Sequence, residues 1–220
     1  MQTPSEPFTL YDRGWIVRIQ PPTTPPPHRV LLMLHGWTGD ETVMWIFARN
    51  LPKDYWIFAP RAPHPANSSY GGYSWSMRNS QDPPTQIEVF SPVAQNILSS
   101  LQVWMQERKI GGQPVNLMGF SQGAALSYTL LIEHAAQIGS VAALAGMLPV
   151  GAEERLLDLN LTGKRVLISH GTRDTTIPVE RARAAAKALD AAGADVTYCE
   201  DDTGHKLGAG CHKALAAFFA

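Results

Sequence analysis

Residues 115–123 read Val115-Asn116-Leu117-Met118-Gly119-Phe120-Ser121-Gln122-Gly123, and a helical run, Ala124 to Ala135, follows. Val115–Gly119 has the short apolar character of a buried strand. The chain therefore passes from strand to helix through a Gly-x-Ser-x-Gly turn, the context that a nucleophile elbow requires. On so sharp a turn the residues two places either side of the serine must lack bulk, so that neighbouring backbones can pass. The turn lifts the hydroxyl above the sheet. It also sets it at a helix N-terminus, where free backbone N–H groups favour developing negative charge. The five-residue pattern alone is common by chance, and its placement between strand and helix carries the reading.

Working outward, other short apolar or β-branched runs read as strands: Trp15–Ile19, Val30–Leu34, Tyr55–Ala59, Ser140–Leu144, Arg165–Ser169 and Ala194–Cys199. Most are continuous rather than alternating, the mark of parallel strands covered on both faces. Helical spacing fills the intervals. Val93, Ile97, Leu101 and Trp104 share a face, with Gly111-Gly112 as a stop. Val179, Ala182, Ala186 and Leu189 follow Pro178, with Gly193 as a stop, and Leu207, Cys211, Leu215 and Phe218 stripe a last helix. Strand and helix alternate, which predicts an α/β fold: a mostly parallel central sheet with helices on both faces. With 220 residues and no repeat, one domain over 1–220 is expected.

Composition narrows the function. The chain is 45% hydrophobic and 17% charged, with a formal net charge of -1. That balance gives no reason to expect nucleic acid or an anionic membrane surface as partner. No run approaches the roughly 18 apolar residues of a membrane span, and Met1 to Leu10 has no basic start followed by an apolar run, so no secretory leader is expected. Cys199 and Cys211 are the two cysteines. They could pair, but two do not make a disulfide framework, so reduced thiols and a cytoplasmic location are the expectation. The composition decides nothing between monomer and homodimer.

A serine hydroxyl is a poor nucleophile unless a base takes its proton. On an elbow of this kind the acid and the base follow in the order Ser, Asp or Glu, His. Of the later histidines, His134 and His212 fall in predicted helices, and His170 precedes the candidate acid. His205 lies in the loop after the final strand, on the rim where such sites sit. It is the expected base. Asp174, in Gly171-Thr172-Arg173-Asp174, is the expected acid. Asp201 and Asp202 are rivals, read as solvated loop charges, and Asp158, Asp190 and Asp195 read as surface. An oxyanion hole needs two donors: the backbone N–H of Gln122, and that of Trp37 in His35-Gly36-Trp37-Thr38-Gly39-Asp40. His35 reads as shaping that loop. No cofactor and no metal are expected. Zinc on Cys199, His205, Cys211 and His212 is a weak alternative, because the spacing lacks close ligand pairs.

The proline- and glycine-rich stretch Pro60 to Pro84 is too long to be a mere connection. It starts on the same rim as Ser121. Its Tyr70, Tyr73 and Trp75, with Trp37 opposite, are expected to wall a short acyl pocket, which favours small or medium acyl groups; the alternative is that they pin the long loop to the core.

Together these motifs resemble a known family. Leu34-His35-Gly36, Ala59-Pro60-Arg61-Ala62-Pro63, Gly119-Phe120-Ser121-Gln122-Gly123, Gly171-Thr172-Arg173-Asp174 and Gly204-His205 match, in order, the phospholipase/carboxylesterase family of α/β-hydrolases, which includes the acyl-protein thioesterases. The resemblance implies the α/β-hydrolase fold. It also implies a Ser121–Asp174–His205 triad, oxyanion N–H groups from Trp37 and Gln122, and a small-molecule ester as substrate, with thioesters or lysophospholipids as the alternative. The chain departs from the thioesterase members at Trp37, where they usually carry leucine. Gly71-Gly72-Tyr73-Ser74-Trp75 is nearer to small bacterial carboxylesterases.

Overall fold

The computed structural model describes residues 6–49, 51–77 and 86–220. Its main sheet has eight strands: β1 (Phe8–Asp12), β2 (Trp15–Gln20), β3 (Arg29–Leu34), β4 (Tyr55–Pro60), β7 (Val115–Phe120), β8 (Ile138–Leu144), β9 (Arg165–Gly171) and β10 (Asp195–Asp201). A separate two-residue pair, β5 (His64–Pro65) and β6 (Tyr73–Ser74), lies in the long loop. The sheet order is β1-β2-β4-β3-β7-β8-β9-β10. β1 and β2 are antiparallel to their neighbours, and from β4 onward every pairing is parallel. This is the α/β-hydrolase architecture that the sequence predicts.

The helices are α1 (Trp45–Ala48), α2 (Ile87–Glu107), α3 (Gln122–Glu133), α4 (Ala152–Leu156), α5 (Val179–Ala191) and α6 (Ala209–Phe219). Side chains alternate across a strand, so each central strand feeds two cores. In β3, Val30, Leu32 and Leu34 pack with α2, α3 and α5 on one face. Leu31 and Met33 pack with Met44, Phe47, Leu215, Phe218 and Phe219 on the other. Burial on both faces is why these strands read as unbroken apolar runs.

Three differences have physical reasons. β1 was not anticipated because its burial alternates and its outer face is open to water. The helix α2 ends at Glu107, where Lys109 takes a left-handed φ of 54°, before Gly111-Gly112 is reached. And Cys199 and Cys211 are bonded in a disulfide rather than free. It ties the end of β10 to the first turn of α6. That removes the reduced-thiol premise behind the cytoplasmic expectation. Residues 78–84 of the long loop lie outside the described residues.

The strand order creates the site's location. From β3 the chain moves to β4 on one side, then crosses to β7 on the other. The crevice at the carboxyl ends of β3 and β7 is a topological switch point, where open α/β sheets bind ligands. β3 delivers residues 35–39 to that crevice, and β7 delivers Ser121. Among the described residues no helix is long and apolar enough to cross a membrane.

Candidate active site

The turn after β7 explains its glycines. Ser121 has φ 53° and ψ −115°, a conformation that side chains rarely adopt. A Cβ on Gly119 would run into the carbonyl of Gly123, and one on Gly123 into the carbonyl of Leu34. Only glycine lets β7, α3 and the end of β3 approach this closely. The Ser121 N–H donates to the Leu144 carbonyl at 2.8 Å, which anchors the strained residue to the next strand.

The three side chains singled out in the sequence meet in one line. The Ser121 hydroxyl donates to His205 Nε2 at 2.9 Å. His205 Nδ1–H donates to Asp174 Oδ2 at 2.7 Å. They arrive from the carboxyl ends of β7, β9 and β10. Asp174 is held from behind: its Oδ1 accepts the N–H groups of Thr176 at 2.8 Å and Ile177 at 2.9 Å. Burial pushes the Asp174 carboxyl up, but the Ile177 N–H, the His205 ring and the Thr176 N–H together pull it below the ordinary carboxylate range. It stands ionised and aimed at His205.

The rival acids lie elsewhere. Asp201 is not a solvated loop charge: its Oδ2 accepts the Cys211 N–H at 2.8 Å, in the first turn of α6. Gly208 and Gly210 leave room for it, since a Cβ on either would run into its carboxylate. Asp202 pairs with Arg173 on the surface. Asp158, Asp190 and Asp195 are exposed, as expected. The zinc alternative loses its sulfurs to the disulfide and His205 to Ser121 and Asp174.

His170, passed over in the sequence, lies beneath the acid. It is buried, its Nε2–H donates to the Ile177 carbonyl at 2.8 Å, and Asp174 Oδ2 is 3.3 Å from the same nitrogen. A histidine at a strand end, four residues before the acid, was the available clue.

The loop after β3 is held by its neighbours. His35 is buried, accepts the Ala62 N–H on Nε2 at 3.0 Å and donates from Nδ1 to the Gly36 carbonyl at 2.7 Å. It shapes the loop and is neutral. Tyr73 clamps the same loop with its backbone. Thr38 N–H donates to the Tyr73 carbonyl and Tyr73 N–H to the Gly39 carbonyl, both at 3.0 Å. Arg61 pairs with Glu41 through two bonds of 2.6 and 2.7 Å and bonds the Tyr73 hydroxyl at 3.1 Å. Gln122 adds a side-chain role that the sequence did not suggest. Its Oε1 accepts the Trp75 N–H at 3.0 Å and its Nε2 donates to Ser74 Oγ at 3.0 Å. Among the described residues, the N–H groups of Trp37 and Gln122 show no hydrogen-bond partner within the protein, so they are free to donate outward.

The expected acyl wall is corrected. Trp75 has 0% of its surface exposed, and its indole N–H donates to the His35 carbonyl at 2.7 Å. It is core, and Tyr73 is spent on the clamp. The exposed Tyr70 does not border the cavity either. An apolar cavity of about 360 Å³ opens on the other side of the elbow, bordered by Trp37, Met44, Phe47, Phe120 and Leu207. Phe120 links it to the polar line, since its ring lies 5.2 Å from that of His205. A Cβ on Gly36, also on its border, would sit 3.4 Å from Ser121 Cβ. Of the residues expected in the pocket, Trp37 alone borders this cavity. The segment 43–47 carried no strand or helix pattern long enough to be noticed.

His35 predicts a pH effect. Burial pushes its imidazole down to about 4, against the partial support of the Gly36 carbonyl. An unfolded histidine titrates near 6.5. Between these values the unfolded chain binds a proton that the folded chain refuses. Stability from this group is therefore complete above about pH 6.5 and falls as the pH drops towards 4, by about 3 kcal/mol in all. The Asp174 carboxylate, held low, loses its own contribution only below the ordinary carboxylate range of about 4. Urea unfolding at pH 7 and pH 4.5 should show a smaller loss in His35→Gln than in the wild type. Equal losses would refute the assignment.

Comparison with known proteins bears on the family and the fold. The sequence model of the family described as Phospholipase/Carboxylesterase matches residues 16–216. Among curated proteins, the chain is 26% identical to esterase YpfH of Escherichia coli (strain K12) over 189 residues, covering 83% of this chain and 78% of that protein. It is 32% identical to acyl-protein thioesterase 1 homolog 1 of Dictyostelium discoideum over 163 residues, covering 67% of this chain and 69% of that protein. Among solved structures, a carboxylesterase from Mesorhizobium loti superposes with a TM-score of 0.82 at 21% identity, covering 97% of this chain and 98% of that one. The Bacillus cereus carboxylesterase superposes with a TM-score of 0.80 at 19% identity, covering 94% of each chain. At such identities these two support the fold.

Proposed function

The chain belongs to the phospholipase/carboxylesterase family of α/β-hydrolases, and from that premise we propose that it hydrolyses carboxylic esters of small to medium acyl groups through an acyl-enzyme on Ser121. Family membership makes it a carboxylesterase-type serine hydrolase. The observation that carries the finer reading is the Ser121–His205–Asp174 line, with spans of 2.9 and 2.7 Å.

In this reading His205 Nε2 takes the Ser121 proton as Oγ attacks the ester carbonyl carbon. Asp174 keeps His205 in the tautomer that leaves Nε2 free, and stabilises the imidazolium that forms. The carbonyl oxygen becomes an oxyanion, which accepts from the N–H groups of Trp37 and Gln122. The tetrahedral adduct collapses, the C–O bond to the alcohol breaks, and His205 protonates the departing oxygen. Water then attacks the acyl-Ser121 carbonyl with His205 again as base. The acid leaves, and the proton returns to Ser121. These steps require no Lewis acid.

A thioester would enter the same sequence with a thiolate leaving group. The 32% identity to a protein named as an acyl-protein thioesterase keeps that reading second.

A fluorophosphonate probe tests the proposal. The active enzyme is expected to gain one adduct, mapped by peptide mass to Ser121, with loss of p-nitrophenyl ester hydrolysis in proportion to labelling. An adduct on another residue, or full activity after labelling, would overturn it.

A further inference from the structure

The cavity beside Ser121 is apolar in its walls but not neutral in its chemistry. Val43, Met44, Ile46, Phe47, Phe120 and Leu207 supply apolar walls. Among the described residues, no Asp or Glu borders it. Its ionisable side chains are Lys206 and His212, both from the segment that follows His205. In a chain whose formal net charge is -1, that is a local departure from the average.

The two basic groups differ in exposure. Lys206 adjoins His205 in sequence and is exposed. His212 is half-buried and lies 5.8 Å, ring to ring, from Phe47. With Phe47, Leu51 and Leu215 it also borders a smaller void. Among the described residues neither side chain has a hydrogen-bond or ion-pair partner. A purely alkyl occupant would cover these donors and pair with neither, and covering an unpaired polar group is unfavourable. An anionic group on the occupant would pair with them. Lys206 offers a full charge, and His212 offers an N–H in either protonation state.

We infer that the cavity receives an acyl chain bearing a carboxylate, so that the preferred substrates are monoesters of dicarboxylic acids. The apolar walls take the methylenes, and Lys206 and His212 take the anion. This inference rests on the reading of Ser121 as nucleophile and of the cavity as the acyl site.

The test compares esters of equal chain length: mono-p-nitrophenyl adipate, its methyl-capped diester and p-nitrophenyl hexanoate. The wild type is expected to show a kcat/KM for the carboxylate ester on the order of tenfold above both neutral esters at low ionic strength, mostly through KM. Salt should erode the preference, because one of the pairs is exposed. Lys206→Gln and His212→Leu should each reduce the ratio of carboxylate to neutral ester by about fivefold or less, and Lys206→Glu should take it below one. Equal or better hydrolysis of the neutral esters by the wild type, or ratios unchanged in all variants, would overturn the inference while leaving Ser121 as nucleophile. No hydrolysis of any ester, with no probe adduct on Ser121, would remove the reading beneath it and the inference with it.

Discussion

Ser121→Ala and His205→Ala are each expected to lower kcat by a factor on the order of 10⁴ or more, with the fold intact. Neither side chain is needed for packing. Ser121 bonds its neighbours through the backbone, and those bonds survive in alanine. His205 is only half-buried. The two losses should not add, because either change removes the same proton transfer. Asp174→Asn tests the acid more finely. Oδ1 accepts two backbone N–H groups, from Thr176 and Ile177, so the amide oxygen of asparagine must take that place. Its NH2 then faces His205 Nδ1, and the Nε2 of His170 as well. A donor opposite Nδ1 forces the proton of His205 onto Nε2, the wrong tautomer for accepting one from Ser121. The expected fall is therefore nearly as large, about 10³ to 10⁴. Asp202→Asn, whose carboxylate pairs with Arg173 on the surface rather than with His205, is the control. Steady-state hydrolysis of p-nitrophenyl acetate, with circular dichroism to verify folding, measures all four. Full activity in Asp174→Asn together with a dead Asp202→Asn would mean that the acid is misassigned.

Legibility followed the physics of each element. The parallel strands were readable because burial on both faces leaves an unbroken apolar run, as in Arg29–Leu34 and Arg165–Gly171. The elbow was readable because close backbone approach admits only glycine at Gly119 and Gly123. Asp174 and His205 followed from their places at strand ends. What the sequence hid depends on contacts between distant segments. Gln122 looks like a backbone donor until the loop carrying Ser74 and Trp75 folds onto it. Asp201 looks like a surface charge until α6 brings the Cys211 N–H to it. Cys199 and Cys211 are twelve apart in sequence, with nothing local to show that β10 and α6 bring them together. The cavity was hidden for the same reason: Met44, Phe47, Phe120 and Leu207 come from separate parts of the chain. An aromatic cluster in a long loop could equally wall a pocket or pin the loop, and composition does not separate the two.

Trp75 separates them. Trp75→Ala is expected to cost about 3–5 kcal/mol of stability, the usual penalty for deleting a buried tryptophan side chain. The ring is fully buried and lies 4.8 Å, centroid to centroid, from that of His35. Its removal opens a void under the loop 35–39 and leaves the His35 carbonyl without the indole N–H that it accepts. Because that loop carries the Trp37 N–H proposed for the oxyanion, kcat should fall too, by an amount that grows as the loop loosens. The Trp75 backbone N–H, bonded to Gln122, survives in alanine, so the loop over the elbow need not detach. The acyl-length optimum should not move, since the ring does not touch the cavity. Urea unfolding and a series of p-nitrophenyl esters from acetate to dodecanoate would measure both effects. A variant as stable as the wild type, with its optimum shifted to longer chains, would restore Trp75 as a pocket wall. A destabilised variant that keeps the wild-type optimum would establish it as the pin that holds the oxyanion loop against the sheet.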